Sequence, residues 1–272
     1  MSVNGRTVLI SGAGRGIGKR LAIGFAAAGA RVGLLARSQP ELDLARLEIA
    51  QAGGSAVSLP ADVRDFDQVC GAVERLREEF GPVAVVVAAA AVQGPIGPFH
   101  TADPRQWAEA IEINLFGVMH TCRAVLPEMI QRRRGKIVVL TGGGTTRPRT
   151  NFSAYAASKT ALARFVETVA GEVLNFNVQI NCMSPGGTYT HMTDEILHAG
   201  EDAGAKDYED ARQVRETGGV SPEQQIQLAL FLASDRSNHV SGKIIHVKDA
   251  WKRLENSNSD SELFTLRRMV RR

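Results

Sequence analysis

The sequence predicts an α/β fold of the doubly wound kind, a parallel sheet of about seven strands with helices on both faces. Three observations lead there. Short β-branched runs alternate with longer helix-patterned stretches almost to the end of the chain. The runs are apolar throughout, as strands buried on both faces are, instead of alternating apolar and polar. The first run passes through a glycine-rich turn directly into a helix pattern.

The strand expectations, in order, are 7–11, 31–36, 55–60, 83–88, 136–141, 178–184 and 243–248. Between them lie helix patterns at 17–29, 41–52, 66–80, 105–131, 153–176 and 222–234. No internal repeat and no Pro- or Ser-rich linker interrupts this rhythm, so residues 1–248 read as one domain. Two segments depart from it. Residues 188–221 are polar and acidic, at the place where an open α/β sheet carries ligand-covering loops, and a lid is expected there. Residues 249–272 form an Arg-rich extension with Arg267, Arg268, Arg271 and Arg272.

Composition narrows the function classes. With 272 residues, 44% hydrophobic and 22% charged, the chain can bury a full core. The net charge of +3 is spread along the chain, which argues against a nucleic-acid partner. Cys70, Cys122 and Cys182 show no CxxC spacing, and the histidines form no HxxxH cluster, so neither a disulfide framework nor a metal site is expected. The N-terminus enters a strand pattern without a leader signature. The most apolar window, 83–92, is about half the length that a membrane helix needs. A soluble, cytoplasmic protein with no membrane partner is the expectation.

After the first strand pattern the chain reads Gly12-Ala13-Gly14-Arg15-Gly16-Ile17-Gly18. A side-chain-poor turn between strand and helix lets backbone N–H groups and the positive helix end approach a pyrophosphate. The spacing is GxxxGxG, not GxGxxG. A nucleotide site of Rossmann type is therefore expected. At the end of the second strand an acid would hold the ribose hydroxyls of NAD, but here stands Arg37, with Arg15 in the loop as a second cation. Guanidinium groups there favour NADP(H) over NAD(H). Asp62 and Val63 follow the third strand, where the carboxylate could accept from an adenine amino group or simply cap its loop.

Tyr155 and Lys159, at i and i+4 of a helix pattern, share a face. A phenol titrates near pH 10, and a neighbouring ammonium brings it toward neutrality, where it can exchange protons. The glycine loop, Asp62-Val63, Asn114 in INLFGV, YAASK and SPGGTYTHM (184–192) occur in that order. In these motifs the chain resembles the single-domain branch of the short-chain dehydrogenase/reductases, from about residue 7 to 247.

The resemblance implies hydride transfer between nicotinamide and a small carbonyl or secondary-alcohol substrate. Tyr155 would be the general acid/base, and Lys159 would lower its pKa and hold the nicotinamide ribose. Asn114 would bind a water that links Lys159 to solvent. Gly12, Gly16, Ile17 and Gly18 would cradle the pyrophosphate, and Pro185, Gly186, Thr188 and Thr190 would line the nicotinamide. Apart from the resemblance, His191 and Met192 in the expected lid could touch substrate, or His191 could simply be an exposed loop residue. A homodimer or homotetramer is also implied, through helices 105–131 and 153–176 with Ala157, Ala161 and Ala163.

Three departures qualify this. Thirteen positions before Tyr155, where the family places a serine that polarises the substrate oxygen, stands Gly142. Either Thr141 supplies the hydroxyl or backbone N–H groups of the glycine run do; a missing donor can cost ~3 kcal/mol of transition-state stabilisation. Ala88, Ala89, Ala90 and Ala91 replace an Asn-Asn-Ala-Gly pattern that borders the adenosine, leaving either satisfied neighbours or weakened cofactor affinity. Finally, the arginine-rich tail, with Arg147 and Arg149 after the glycines, would suit an anionic substrate. Set against the enzyme is a nucleotide-binding relative with little turnover, which Gly142 and the alanine run would favour; an epimerase or dehydratase lacks its usual longer C-terminal domain here.

Overall fold

The computed structural model describes residues 3–255 and 264–267. Seven strands form one parallel sheet in the order β3-β2-β1-β4-β5-β6-β7. They are β1 (Thr7–Ser11), β2 (Arg31–Ala36), β3 (Ser55–Pro60), β4 (Val83–Ala88), β5 (Gly135–Leu140), β6 (Val178–Ser184) and β7 (Ile244–His246). Each matches an expected strand. The last is shorter because the chain turns after His246, where Asp249 accepts from the His246 N–H at 2.7 Å.

Helices cover both faces. One side holds α1 (Gly16–Ala27), α2 (Gln39–Gln51) and α9 (Pro222–Ala233), whose Leu21, Phe25, Ile49, Leu228 and Phe231 pack on Val8, Ile10 and Val85 of the sheet. The other side holds α3 (Phe66–Phe80), α5 (Gly117–Gln131) and α6 (Ser153–Val173), which bury Leu76, Val125, Leu162 and Val166 on Leu9, Val86 and Val139. The strand order reverses between β1 and β4, the switch point at which such sheets open a crevice at the strands' carboxyl ends.

Two expected elements differ. The single helix over 105–131 divides into α4 (Pro104–Ile111) and α5, joined by a π-turn at Glu112–Phe116. The polar stretch 188–221 is not a loop but two helices, α7 (His191–Ala199) and α8 (Ala205–Thr217). It is pinned at its base, where Thr188 bridges Gly219 and the Val220 N–H donates to Gly187 O at 2.8 Å. Ile196, Ala203 and Ala211 from this segment, the one expected as a lid, form a small core with Phe152 and Tyr155 of the α6 entrance.

The described tail packs on the flank of the sheet, with Ile244 N–H donating to Phe264 O at 2.7 Å and Arg267 paired to Glu167 on α6. Arg267 therefore does not reach the crevice, and Arg268, Arg271 and Arg272 lie outside the described residues. Of the small residues expected at subunit contacts, Ala163 is buried in the protein's own core, which leaves Ala157 and Ala161 on the surface. Among the described residues no helix is long and apolar enough to cross a membrane, and no His/Cys/Asp/Glu group could hold a metal.

Candidate active site

A cleft of about 1590 Å³ runs along the carboxyl ends of the strands. Every site residue expected from the sequence borders it except Asn114.

At the nucleotide end the geometry is set by backbone approach. Gly12 has φ +70°, and a Cβ there would stand 2.7 Å from the Cα and N of Ala90. Only glycine lets the first turn lie against the alanine run. Helix α1 then begins with no side chain capping it, so its first-turn N–H groups, at Gly16–Gly18, border the cleft with their positive end. That donor set, in a turn that a Cβ would obstruct, fits a pyrophosphate.

The alanine run is better supported than its side chains suggest. Ser11 Oγ accepts from the N–H groups of Ala89 and Ala90 at 3.2 and 3.4 Å, and Ser11 O accepts from Ala89 N–H at 3.2 Å. Ser11 thus supplies from β1 part of the bonding that the missing asparagines would have given. Its position just before the glycine loop was the available signal.

Further out, Arg37 and Arg15 border the cleft where β2 ends, and Arg15 is only loosely paired, 4.0 Å from Glu41. Asp62 is a shared acceptor rather than a free one. Arg64 grips its carboxylate through Nε at 3.0–3.1 Å and Nη2 at 2.6 Å, and these bonds hold the Asp62 pKa below the usual carboxylate range.

In the middle of the cleft, Tyr155, Ser158, Lys159 and Leu162 form the buried stripe of α6, the i, i+3, i+4, i+7 pattern of a core-facing helix. Lys159 donates from Nζ to Leu140 O at 2.9 Å, and burial lowers its pKa to about 8. Burial also raises the Tyr155 pKa, and the nearby charge that opposes this is the Arg149 guanidinium. Lys159 is itself desolvated and turned onto a carbonyl, 5.6 Å from the Tyr155 ring centre.

Asn114 is wholly buried on the π-turn, away from the cleft. Its Oδ1 accepts from Val92 N–H at 2.8 Å, while Nδ2 donates to Val92 O at 2.9 Å and Ser158 Oγ at 3.1 Å. With both amide hydrogens used, the side chain braces the segment after β4 against α6.

Thr141 borders the cleft at the end of β5, and its Oγ1 is buried with no hydrogen-bond partner among the described residues. Gly142 is the residue that faces the phenol, since a Cβ there would stand 2.6 Å from Tyr155 Oη. The tyrosine hydroxyl occupies the space in which a serine side chain would stand.

The stretch 185–190, where the cleft meets α7, is braced by a residue that the sequence pattern does not single out. Arg20 reaches from α1 to donate to Thr188 Oγ1 at 2.6 Å and Tyr189 O at 2.7 Å. Gln225 holds Pro185 O at 3.0 Å. Thr190 starts α7, with its N–H bonded to Thr193 Oγ1 at 3.1 Å, and Met192 borders the cleft beside it. His191 turns toward Glu195 at 3.2 Å.

Residues 6–200 match the family model described as short chain dehydrogenase. This chain belongs to the short-chain dehydrogenase/reductase family. It is 30% identical over 244 residues to 2,3-dihydro-2,3-dihydroxybenzoate dehydrogenase of Bacillus subtilis, covering 88% of this chain and 93% of that one. Among solved structures it resembles NAD+-bound xylitol dehydrogenase, with TM-score 0.83, 25% identity and coverage of 90% and 98%. It also resembles a gluconate 5-dehydrogenase from Burkholderia cenocepacia in complex with NADP and tartrate, with TM-score 0.80, 26% identity and coverage of 90% and 94%. As a member of this family the chain is an oxidoreductase acting on CH–OH groups with NAD(P) as acceptor. That membership weighs against the reading without turnover.

Proposed function

We propose that this protein interconverts a small ketone and its secondary alcohol, using NADP(H) in preference to NAD(H). The observation that carries the cofactor preference is the pair Arg15 and Arg37 on the cleft where β2 ends, with no acid at that strand end. Two guanidiniums there would pair with a 2′-phosphate, whereas the ribose diol of NAD would find no carboxylate at the strand end.

When bound, the nicotinamide supplies or accepts the hydride. The protein's own part is alignment and proton handling. Gly12 and the α1 N-terminus would seat the pyrophosphate, and Thr188, fixed by Arg20, would border the nicotinamide end together with Pro185, Gly186 and Thr190. Tyr155, protonated in its buried setting, would give its proton to the carbonyl oxygen, or take it back in the reverse direction. Lys159 and Arg149 stand near enough to offset the phenolate charge that results. The relatives' names, a dihydroxybenzoate, xylitol and gluconate dehydrogenase, support a hydroxylated small molecule as substrate.

Phe116 and Met119 stand exposed at the start of α5 and would suit a homodimer or homotetramer contact, which light scattering decides. All three cysteines are free thiols, in keeping with a cytoplasmic setting.

The test is a titration with NADPH and with NADH, followed by nicotinamide fluorescence. Tighter binding of NADPH is expected, and then a carbonyl screen with Tyr155→Phe as the inactive control. Equal affinity for the two would refute the preference, and binding of neither would refute the cofactor site.

A further inference from the structure

Six arginines could have marked an anionic substrate, and the structure separates them. Arg147 is exposed at the rim, Arg267 is on the far flank, and three lie outside the described residues. Arg149 is different. Its side chain is 13% exposed and lies across the glycine run, with Cδ 3.6 Å from where a Cβ on Gly143 would stand. The guanidinium carbon is 3.6 Å from the Phe152 ring centre and 5.4 Å from that of Tyr155. Nε donates to Asp207 Oδ1 at 2.7 Å, and Nη1 donates to Gln93 Oε1 at 3.3 Å.

These contacts hold a long side chain in one place at the cost of its rotamer freedom. They use Nε and one hydrogen of Nη1, and Nη2 has no hydrogen-bond partner among the described residues. Gln93 is a polar side chain 4% exposed, and it borders the same cleft. A guanidinium so fixed next to the proton donor is a fork with an open edge, the shape that accepts a carboxylate. The other charges nearby are Lys159, spent on Leu140 O on the far side of Tyr155, Asp207 on the Nε side, the Lys206–Asp210 pair at 2.6 Å and the His191–Glu195 pair on α7. These acids tolerate a monoanion better than a dianion, so the site favours carboxylate over phosphate.

We infer that Arg149 and Gln93 form a carboxylate subsite beside Tyr155, and that the substrate is a keto acid or hydroxy acid. Asp207, from α8, is the group that orients the guanidinium. The inference rests on the reading of Tyr155 as the proton donor and adds what lies next to the reacting carbon.

Calorimetry on the protein saturated with NADP+ tests it, using tartrate, lactate and gluconate against glycerol and erythritol, with glycerol 3-phosphate as the dianion. The hydroxy acids should bind at least about tenfold tighter than the polyols. Arg149→Met should erase that difference, Arg149→Lys should keep part of it, and Arg147→Met should leave it intact. Gln93→Leu reports on the same site without touching the arginine, and should reduce the preference severalfold. Carboxylates no tighter than polyols, a preference that survives Arg149→Met, or glycerol 3-phosphate as the tightest ligand would each overturn the inference. Should NADP+ fail to bind, the cofactor reading falls by itself, and the same comparison on the protein alone decides the subsite.

Discussion

Where β1, β2 and β4 border the cleft, its walls are mostly backbone: a glycine at positive φ against an alanine run, an uncapped helix end, a serine reaching across two strands. Where β5, α6 and the lid border it, the walls are side chains from several elements, held by one another: Tyr155, Arg149, Gln93 and Asp207. The first region would hold any dinucleotide of the right charge. The second can be rebuilt one residue at a time. The difference teaches that cofactor binding and substrate choice should fail separately.

The largest expected effect is at Tyr155. Tyr155→Phe should lower kcat on whichever carbonyl a screen returns by roughly 10²–10⁴-fold, the range for removal of a general acid. NADPH affinity should change little, and a parallel loss of affinity would break the separation. Next comes Gly142→Ser. It restores the residue of the family pattern, yet a Cβ 2.6 Å from Tyr155 Oη must push the phenol aside, so a loss of about 10²-fold in kcat is expected. A gain in kcat instead would show that the missing hydroxyl, not the phenol's position, limits the reaction.

At the nucleotide end, Arg37→Ala should weaken NADPH about tenfold and leave NADH unchanged in the same fluorescence titration, as loss of one charge-assisted contact would. Lys159→Met sharpens the contrast through stability. Burial lowers the Lys159 pKa to about 8 in the folded protein, while the unfolded chain keeps the ordinary value of 10.5. Between those values the unfolded chain binds the proton and the folded one does not, so stability rises with pH there. Below pH 8 the cost of the buried charge is fully present. Lys159→Met should therefore stabilise the protein by about 1–2 kcal/mol at pH 7, with the gain shrinking as pH rises toward 10, read from thermal melts at both. The smallest effect is that of Ser11→Ala, about 1 kcal/mol of stability in urea melts, from the lost bond to the alanine run.

The sheet was legible in the sequence because buried strands leave continuous apolar runs, and the turn from β1 into α1 because its determinant is glycine spacing. Counting back from Tyr155 also found the right place, since Gly142 does face the phenol. What counting does not give is the direction of side chains. Thr141 is one residue away, and its hydroxyl is buried. Asn114 sits on a π-turn that a continuous apolar period conceals, and its amide is spent on Val92 and Ser158. The segment 188–221 looks like a polar insertion in the sequence because α8 buries a single residue, Ala211, too little to leave a helical apolar stripe.

The lid leaves the sheet and returns to it at one point. Thr188 and Gly219 are bridged, and Val220 bonds back to Gly187. Anything strung between those two residues is a closed cassette whose length the strands never register. A different insert spliced in at that neck would change what covers the cleft, and it would have to replace the packing of Ile196, Ala203 and Ala211 on Tyr155 and the hold of Asp207 on Arg149. In engineering terms this chain is a socket with an exchangeable cover, and the neck at 187–220 is where to cut.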